Sequence, residues 1–326
     1  MAEITFLKAI TETVDEEMAR DPNIFIIGED VRVWGAPRGE FKGLFEKYGP
    51  KRVMDTPISE TAIVGGAIGA AMTGLRPIAS IIYANFLGVC GDELLNQLTQ
   101  IRYMVGGKIK LPVTITTYFG AGFSSAAQHS KSVHGLLMGI PGLKIVVPST
   151  AYDMKGLLRS ALREDNPTIV LSHSMLMRGS VKQEVPEEAY LIPLGKADVK
   201  REGNDVTVVA SALMLHRALA TADKLQEQGI SLEVIDPRTW VPLDTQTVIE
   251  SVKKTGKLII MEEEPKTGGA AAELAARIAD EAFDYLDAPI KRVCAPDTPI
   301  PFSQIMEKFW MPDEENLINT VTELCG

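Results

Sequence analysis

The sequence predicts an α/β protein built from two doubly wound domains. Three observations carry that reading. Short β-branched runs alternate with segments of helical period, the pattern of a largely parallel sheet with helices on both faces. The rhythm breaks over 173–200, a polar stretch holding Pro186 and Pro193, and then restarts. The chain has 326 residues, enough for two ordinary domains. The expected division is 1–180, a linker over 181–203, and a smaller domain over 204–326.

Apolar residues at Leu7, Ile10, Val14 and Met18 predict a helix over 4–19, stopped by Asp21-Pro22. Residues 24–27 form a short buried strand closed by Gly28-Glu29-Asp30. A Gly-rich loop over 35–43 leads to a short helix ending at Tyr48. A strand over 52–54 then runs into Asp55-Thr56-Pro57-Ile58-Ser59-Glu60. Pro57 keeps this stretch extended, Ser59 is a good N-cap, and Glu60 falls in the first turn of a helix that Gly74 stops. That helix contains Gly65, Gly66 and Gly69. Each glycine costs about 1 kcal/mol against alanine, a cost that makes sense if another backbone must approach closely. The helix is therefore expected to be buried, with one carboxylate at its mouth.

Further on come a strand over 77–83, a helix over 88–104 and a strand over 113–118 that enters a long polar loop, 120–132. Strands at 144–147 and 168–171 flank a helix over 151–163. The second domain reads as strands at 206–210, 232–235, 257–262 and 290–294, with helices over 212–229, 244–254 and 269–284.

The formal net charge of −10 argues against a nucleic-acid partner, since no basic run offsets it. Cys90, Cys294 and Cys325 are scattered and read as reduced thiols. The N-terminus carries no apolar signal region and no apolar run is long enough to span a membrane, so the expected location is the cytoplasm, or an organelle matrix in a eukaryote.

In parallel α/β sheets, ligand groups collect beyond the carboxyl ends of strands. Glu29, Glu60 and the loop bearing Gln128 and His129 fall in such places. Glu60 reads either as a functional carboxylate or as an acidic residue favouring the positive helix end. His129 is of the residue type suited to act as acid or base, or else it is a surface histidine bonded to its own loop. Phe86 either fills core or offers a flat face to a ring. Gly268-Gly269 opens a helix after a strand, which reads as a tight turn or as an anion site.

Several short motifs stand in order along the chain: Gly28-Glu29-Asp30-Val31, Asp55-Thr56-Pro57-Ile58-Ser59-Glu60, Gly74-Leu75-Arg76-Pro77, Ala127-Gln128-His129-Ser130 and Pro141-Gly142-Leu143-Lys144. Together they resemble the β subunit of the E1 component of 2-oxo acid dehydrogenase complexes, which is transketolase-like and thiamine-diphosphate-dependent. The likeness covers essentially the whole chain. It implies a transketolase-like pyrimidine-binding domain followed by a transketolase C-terminal-like domain. The stretches Asn85-Phe86-Leu87-Gly88, Arg102 to Lys108, Pro193 to Asp198 and Phe283 to Ile290 are most similar to the acetoin dehydrogenase branch.

The resemblance implies roles. Glu60 matches the catalytic carboxylate that shares a proton with N1′ of the cofactor's aminopyrimidine, which activates the cofactor's C2. Phe86 matches the residue packed on the pyrimidine, His129 the histidine at the reacting centre, and Glu29 an acidic residue near the cofactor. A structural potassium ion is implied at Val113, Ala161, Leu162, Glu164 and Asn166. Ser80 stands where the family commonly has an acidic residue, and Ser172 to Met177 departs from its usual acidic-aromatic version, which leaves the substrate open. The family's magnesium–diphosphate motif, Gly-Asp-Gly followed by asparagines, has no match. A partner α subunit is therefore expected to hold magnesium and diphosphate in a heterotetramer of two α and two β subunits, with an E2 acyltransferase binding the second domain. The expected reaction is cleavage beside a carbonyl and acyl transfer to E2 lipoamide, with acetoin as substrate, or a 2-oxo acid such as pyruvate or a branched-chain one as the alternative. Two competing readings are a non-catalytic scaffold, which the presence of both Glu60 and His129 opposes, and a one-chain synthase, which the missing diphosphate motif opposes.

Overall fold

The computed structural model describes residues 1–179 and 181–326; residue 180, the expected end of the first domain, lies outside them. The chain divides into two compact units, Met1–Phe119 with Ile140–Leu194, and Gly120–Gly139 with Gly195–Gly326. The segment 120–139, expected in the first domain, thus belongs to the second unit.

The first unit opens with β1 (Ala2–Thr5) and α1 (Phe6–Arg20), capped by the Thr5 hydroxyl accepting from Lys8 N. The helix buries Phe6, Ala9, Ile10, Val14 and Met18 along one face. Then come β2 (Ile24–Glu29), α2 (Leu44–Tyr48), β3 (Val53–Thr56), α3 (Glu60–Met72), β4 (Arg76–Ile81), α4 (Thr99–Met104) and β5 (Thr114–Phe119). After the excursion that holds α5 (His134–Met138), the unit continues with β6 (Lys144–Val146), α6 (Ala151–Arg163), β7 (Thr168–His173), α7 (Ser174–Arg178) and β8 (Lys182–Val185). Its central strands run parallel in the order β6-β7-β5-β4-β2-β3. Ile24, Ile26, Ile78, Val146 and Val170 on these strands pack with Leu157 and Leu158 of α6 and with the apolar face of α1.

Three differences from the sequence expectation have physical causes. Residues 4 and 5 are strand rather than helix, because β1 pairs antiparallel with β8, Ala2 opposite Val185. The helix expected over 88–104 is broken into a 3₁₀ turn (Ala84–Gly88), a π-helical stretch (Glu93–Leu98) and α4. The Thr99 hydroxyl donates back to the carbonyls of Leu94 (3.1 Å) and Leu95 (3.0 Å), which suits the widened turn. The stretch 173–200, read as a join, contains α7, β8 and the start of a further strand, which pair with partners distant in sequence.

The second unit contains β9 (Asp198–Arg201), β10 (Val206–Ala210), α8 (Ala212–Gln226), β11 (Leu232–Asp236), β12 (Thr239–Val241), α9 (Thr245–Thr255), β13 (Leu258–Pro265), α10 (Ala270–Glu281), β14 (Lys291–Ala295), α11 (Gln304–Trp310) and α12 (Glu314–Cys325). Its sheet runs β14-β13-β10-β11-β9, parallel except for β9 at the edge. Val208, Val234 and Ile259 meet Leu215 and Ala218 of α8 and Leu317 and Val321 of α12. Asp244 caps α9 through Thr247 N, Gly256 ends it at φ 67°, and Asp313 with Asn316 forms a capping box on α12. Among the described residues no helix is long and apolar enough to cross a membrane.

Candidate active site

Parallel strands place all their carboxyl ends along one edge of the first unit's sheet. Glu29 is the last residue of β2, and Glu60 opens α3 just past β3. Phe86 lies in the 3₁₀ turn after β4 and is half-buried. Gly28 is required here: a Cβ at that position would stand 2.8 Å from both Ser80 Cβ and Ser80 O on the neighbouring strand. Ser80 is therefore packed against β2 and is 2 % exposed.

Glu60 is 8 % exposed, and among the described residues none donates a hydrogen bond to its carboxyl. Ser59 precedes the helix as expected, but its side chain makes no capping bond. Burial pushes the Glu29 carboxyl above its ordinary value, and the carboxylates of Asp30, Glu60 and Asp55 push it the same way. Glu29, Asp30, Asp55 and Glu60 thus share one sheet edge. Burial, then Glu93 and Glu60, raises the neighbouring Cys90 thiol to about 12, so it is not a nucleophile at neutral pH.

Helix α3 is not buried all round. Ile63, Val64, Ala67, Ile68 and Ala71 face inward, whereas Thr61, Ala62, Gly66 and Gly69 are exposed. Added Cβ atoms at Gly65 and Gly66 would meet Glu93 Cγ at 3.8 Å and Ile27 Cδ1 at 3.7 Å, and at Gly69 nothing within 4 Å. Among the described residues no backbone comes close enough to require these glycines. Gly74 does end the helix: at φ 99° it allows Leu75 N to reach Ala70 O (3.2 Å) and Gly74 N to reach Ala71 O (3.0 Å).

His129 stands half-buried in the second unit, on the segment 120–139. Carboxylates grip that segment at both ends. Ala121 N donates to Glu263 Oε1 (2.6 Å), Gly122 N and Ser124 N to the two oxygens of Glu307 (2.9 and 2.8 Å), and Gly135 N to both oxygens of Glu264 (3.0 Å). Glu264 Oε2 also accepts from Ala270 N at 2.7 Å. The start of α10 at Gly268-Gly269, open to an anion on the sequence reading, thus holds a carboxylate of its own chain. Burial raises Glu264, and burial with the Glu264 charge raises Glu262 well above the carboxylate range. None of these four glutamates was identified from sequence. The run Glu262-Glu263-Glu264 at the carboxyl end of β13 was the available signal, and Glu307 had none.

The five positions matched to potassium ligands meet where α6 ends beside β5. Thr114 Oγ1 donates to Ala161 O (3.3 Å), Thr168 N to Val113 O (3.0 Å) and Asn166 Nδ2 to Glu164 Oε1 (2.8 Å). The Arg76 guanidinium donates to the carbonyls of Leu162 (2.9 Å) and Glu164 (2.7 Å). These are oxygen donors of the kind a hard cation takes, and Arg76 uses two of them. Among the described residues no group of three or more His, Cys, Asp or Glu side chains forms a metal cluster.

The family models divide the chain near residue 180, so 120–139 falls within the first matched domain although its contacts group it with the second unit. The family described as "Transketolase, pyrimidine binding domain" matches residues 2–180, and "Transketolase, C-terminal domain" matches 195–317. The β subunit of acetoin:2,6-dichlorophenolindophenol oxidoreductase from Bacillus subtilis is 45% identical, over 99% of this chain and 97% of its own. The pyruvate dehydrogenase E1 component β subunit of the same organism is 44% identical over 99% of each chain. In fold, the chain is similar to a split-gene transketolase solved as an inactive β4 tetramer, at TM-score 0.80, 24% identity and 99% coverage of both.

Proposed function

The chain belongs to the transketolase-like E1 β subunits of the acetoin and 2-oxo acid dehydrogenase family, and from that premise we propose that it is the β half of a thiamine-diphosphate enzyme that cleaves acetoin or a related vicinal carbonyl compound. The observation that carries the reading is Glu60, a buried carboxyl at the mouth of α3 beside Glu29. Thiamine diphosphate, when bound, would supply the nucleophilic carbon for the substrate carbonyl, with the lipoamide disulfide as the oxidant that takes up the acyl group. Glu60, buried at this sheet edge, is the residue that would hold a proton at the pyrimidine ring nitrogen. Glu29 adds negative charge beside it. Phe86 packs on the ring, and His129 donates and accepts a proton during addition or transfer.

The diphosphate and its magnesium fall to an α subunit, in a heterotetramer of two α and two β chains. The exposed Gly66 and Gly69 positions of α3, against which no backbone of the described residues packs closely, support such a partner. Phe302, Ile305, Met306 and Phe309, exposed on and beside α11, support a further contact of the second unit, with its twin and with the E2 acyltransferase. Three free thiols, Cys90, Cys294 and Cys325, suit the reducing cytoplasm. A potassium ion among the oxygens at Val113, Ala161, Leu162, Glu164 and Asn166 would share them with Arg76. A melting temperature higher in potassium than in choline chloride at equal ionic strength supports that ion, and equal values refute it.

The decisive experiment is Glu60→Gln in the enzyme reconstituted with its α subunit, read by reduction of 2,6-dichlorophenolindophenol. A loss of about 10²–10⁴-fold in kcat is expected; full activity would refute a catalytic subunit. Offering acetoin, pyruvate and a branched-chain 2-oxo acid to the wild type decides the substrate, and preference for an oxo acid would replace acetoin with oxidative decarboxylation.

A further inference from the structure

We propose that Glu307 is a positioning residue for His129: its carboxylate fixes the path of the segment that carries the imidazole. The inference rests on the proton-transfer role assigned to His129 above.

The segment adopts an unusual backbone. Gly120 and Gly122 have φ of 96° and 109°, and the non-glycine residues Ser124 and Ala126 have 52° and 59°. Left-handed residues other than glycine each cost about 1–2 kcal/mol, so such a path persists only where its surroundings hold it. Alternation of this kind turns successive amides to one side and forms a concavity for an anion. Glu307 is that anion. It is 1 % exposed, and its two oxygens take the amides of Gly122 and Ser124. Hydrogen bonds to an ionised acceptor are roughly twice as strong as neutral ones.

The helix that bears Glu307 is seated under the same loop. Trp310 and Met311 pack with Ala121, Ala295 and Ile300, and Trp310 Nε1 donates to Thr298 O at 3.1 Å. Gly120 N reaches Ser130 O at 3.1 Å and closes the neck of the loop beside His129, whose own amide turns back to Ala126 O at 3.4 Å. His129 therefore lies on the stretch of chain between the last clamped amide, Ser124, and the neck at Ser130. Moving the clamp moves the arc that carries it. A misplacement of about 1 Å in a reacting group can cost 10²-fold in rate. Among the described residues the Glu307 carboxylate accepts hydrogen bonds only from main-chain amides, so its effect acts through the path of the segment that carries His129.

The test is a double-mutant cycle in the reconstituted α/β enzyme with thiamine diphosphate: wild type, Glu307→Gln, His129→Ala and the double variant, with kcat and KM for acetoin and the melting temperature of each. Glu307→Gln is expected to lower kcat about tenfold or more with KM little changed. It is expected to cause no further fall in the His129→Ala background. An equal loss in both backgrounds, or no loss in the wild type, overturns the proposal. Full activity of His129→Ala alone removes the proton-transfer reading and this proposal with it. Glu307→Asp, which retains the charge and shortens the reach, is expected to keep more activity than Glu307→Gln, and it carries the same cycle if the glutamine variant fails to assemble.

Discussion

Glu40 shows how much a single buried group can govern. It lies 2 % exposed in the loop before α2, and burial pushes its carboxyl up to about 8 against the opposing pull of backbone amides and Arg38. The folded chain thus holds a proton that the unfolded chain releases near pH 4.5. Stability from this group is complete below that pH and declines as pH rises, by about 1.4 kcal/mol per unit until about pH 8. Glu40→Gln should flatten that decline, so the variant's melting temperature should exceed the wild type's above neutrality and converge with it in acid. Glu17 behaves in the opposite sense. Burial alone would raise it, yet hydrogen bonds from Arg163 (2.7 Å) and Arg20 (2.8 Å) outweigh burial and hold it low. It also pairs with Arg159 at 3.2 Å, a side chain buried between α1 and α6. Glu17→Ala removes one partner of buried Arg159, which keeps Glu16 and the Tyr190 carbonyl, and should cost about 1–3 kcal/mol in denaturant unfolding. The position of Glu60 was legible in the sequence because a strand end and an apolar helix surround it within a few residues. Glu307 was not, because its partners are main-chain amides more than 180 positions away.

At the scale of elements, α3 carries the clearest prediction. Gly69 meets nothing within 4 Å of an added Cβ. Gly69→Ala should therefore leave the isolated chain as stable or up to about 1 kcal/mol more stable, since glycine is a poor helix residue. The same change should weaken association with the α subunit if a foreign backbone lies there. Size-exclusion chromatography of the co-expressed pair, beside thermal unfolding of the β chain alone, separates the two effects. Periodicity located α1, α6, α8 and α9 well, because an amphipathic face is local, and the flanking Ser59 and Gly74 located α3. It misread 88–104, where the Thr99 back-bond opens a π turn, and it assigned no element beyond 294, where α11 and α12 are packed by the second unit's own core.

For the whole molecule, the expectation is incompleteness. This chain with thiamine diphosphate, magnesium and acetoin should show no dye reduction, and adding the α subunit should restore it. Activity of the chain alone would return the one-chain reading. The relatives at 45% and 44% identity carry names with different substrates, so overall similarity does not choose among them, and the reconstituted pair must.

The sequence by itself determined the alternation of strands and helices, the break between two α/β domains, and the place of Glu60, Phe86 and Glu29 beyond strand ends. Those follow from side-chain periods, caps and turn residues, which act over a few positions. Only the tertiary structure decided that β1 pairs with β8, that one face of α3 is left bare, that the His129 segment joins the second unit, and that Glu263, Glu264 and Glu307 hold it. Each of these is a meeting of groups far apart along the chain. Burial and hydrogen-bond satisfaction select such meetings after the elements have formed, and no short window of sequence records them.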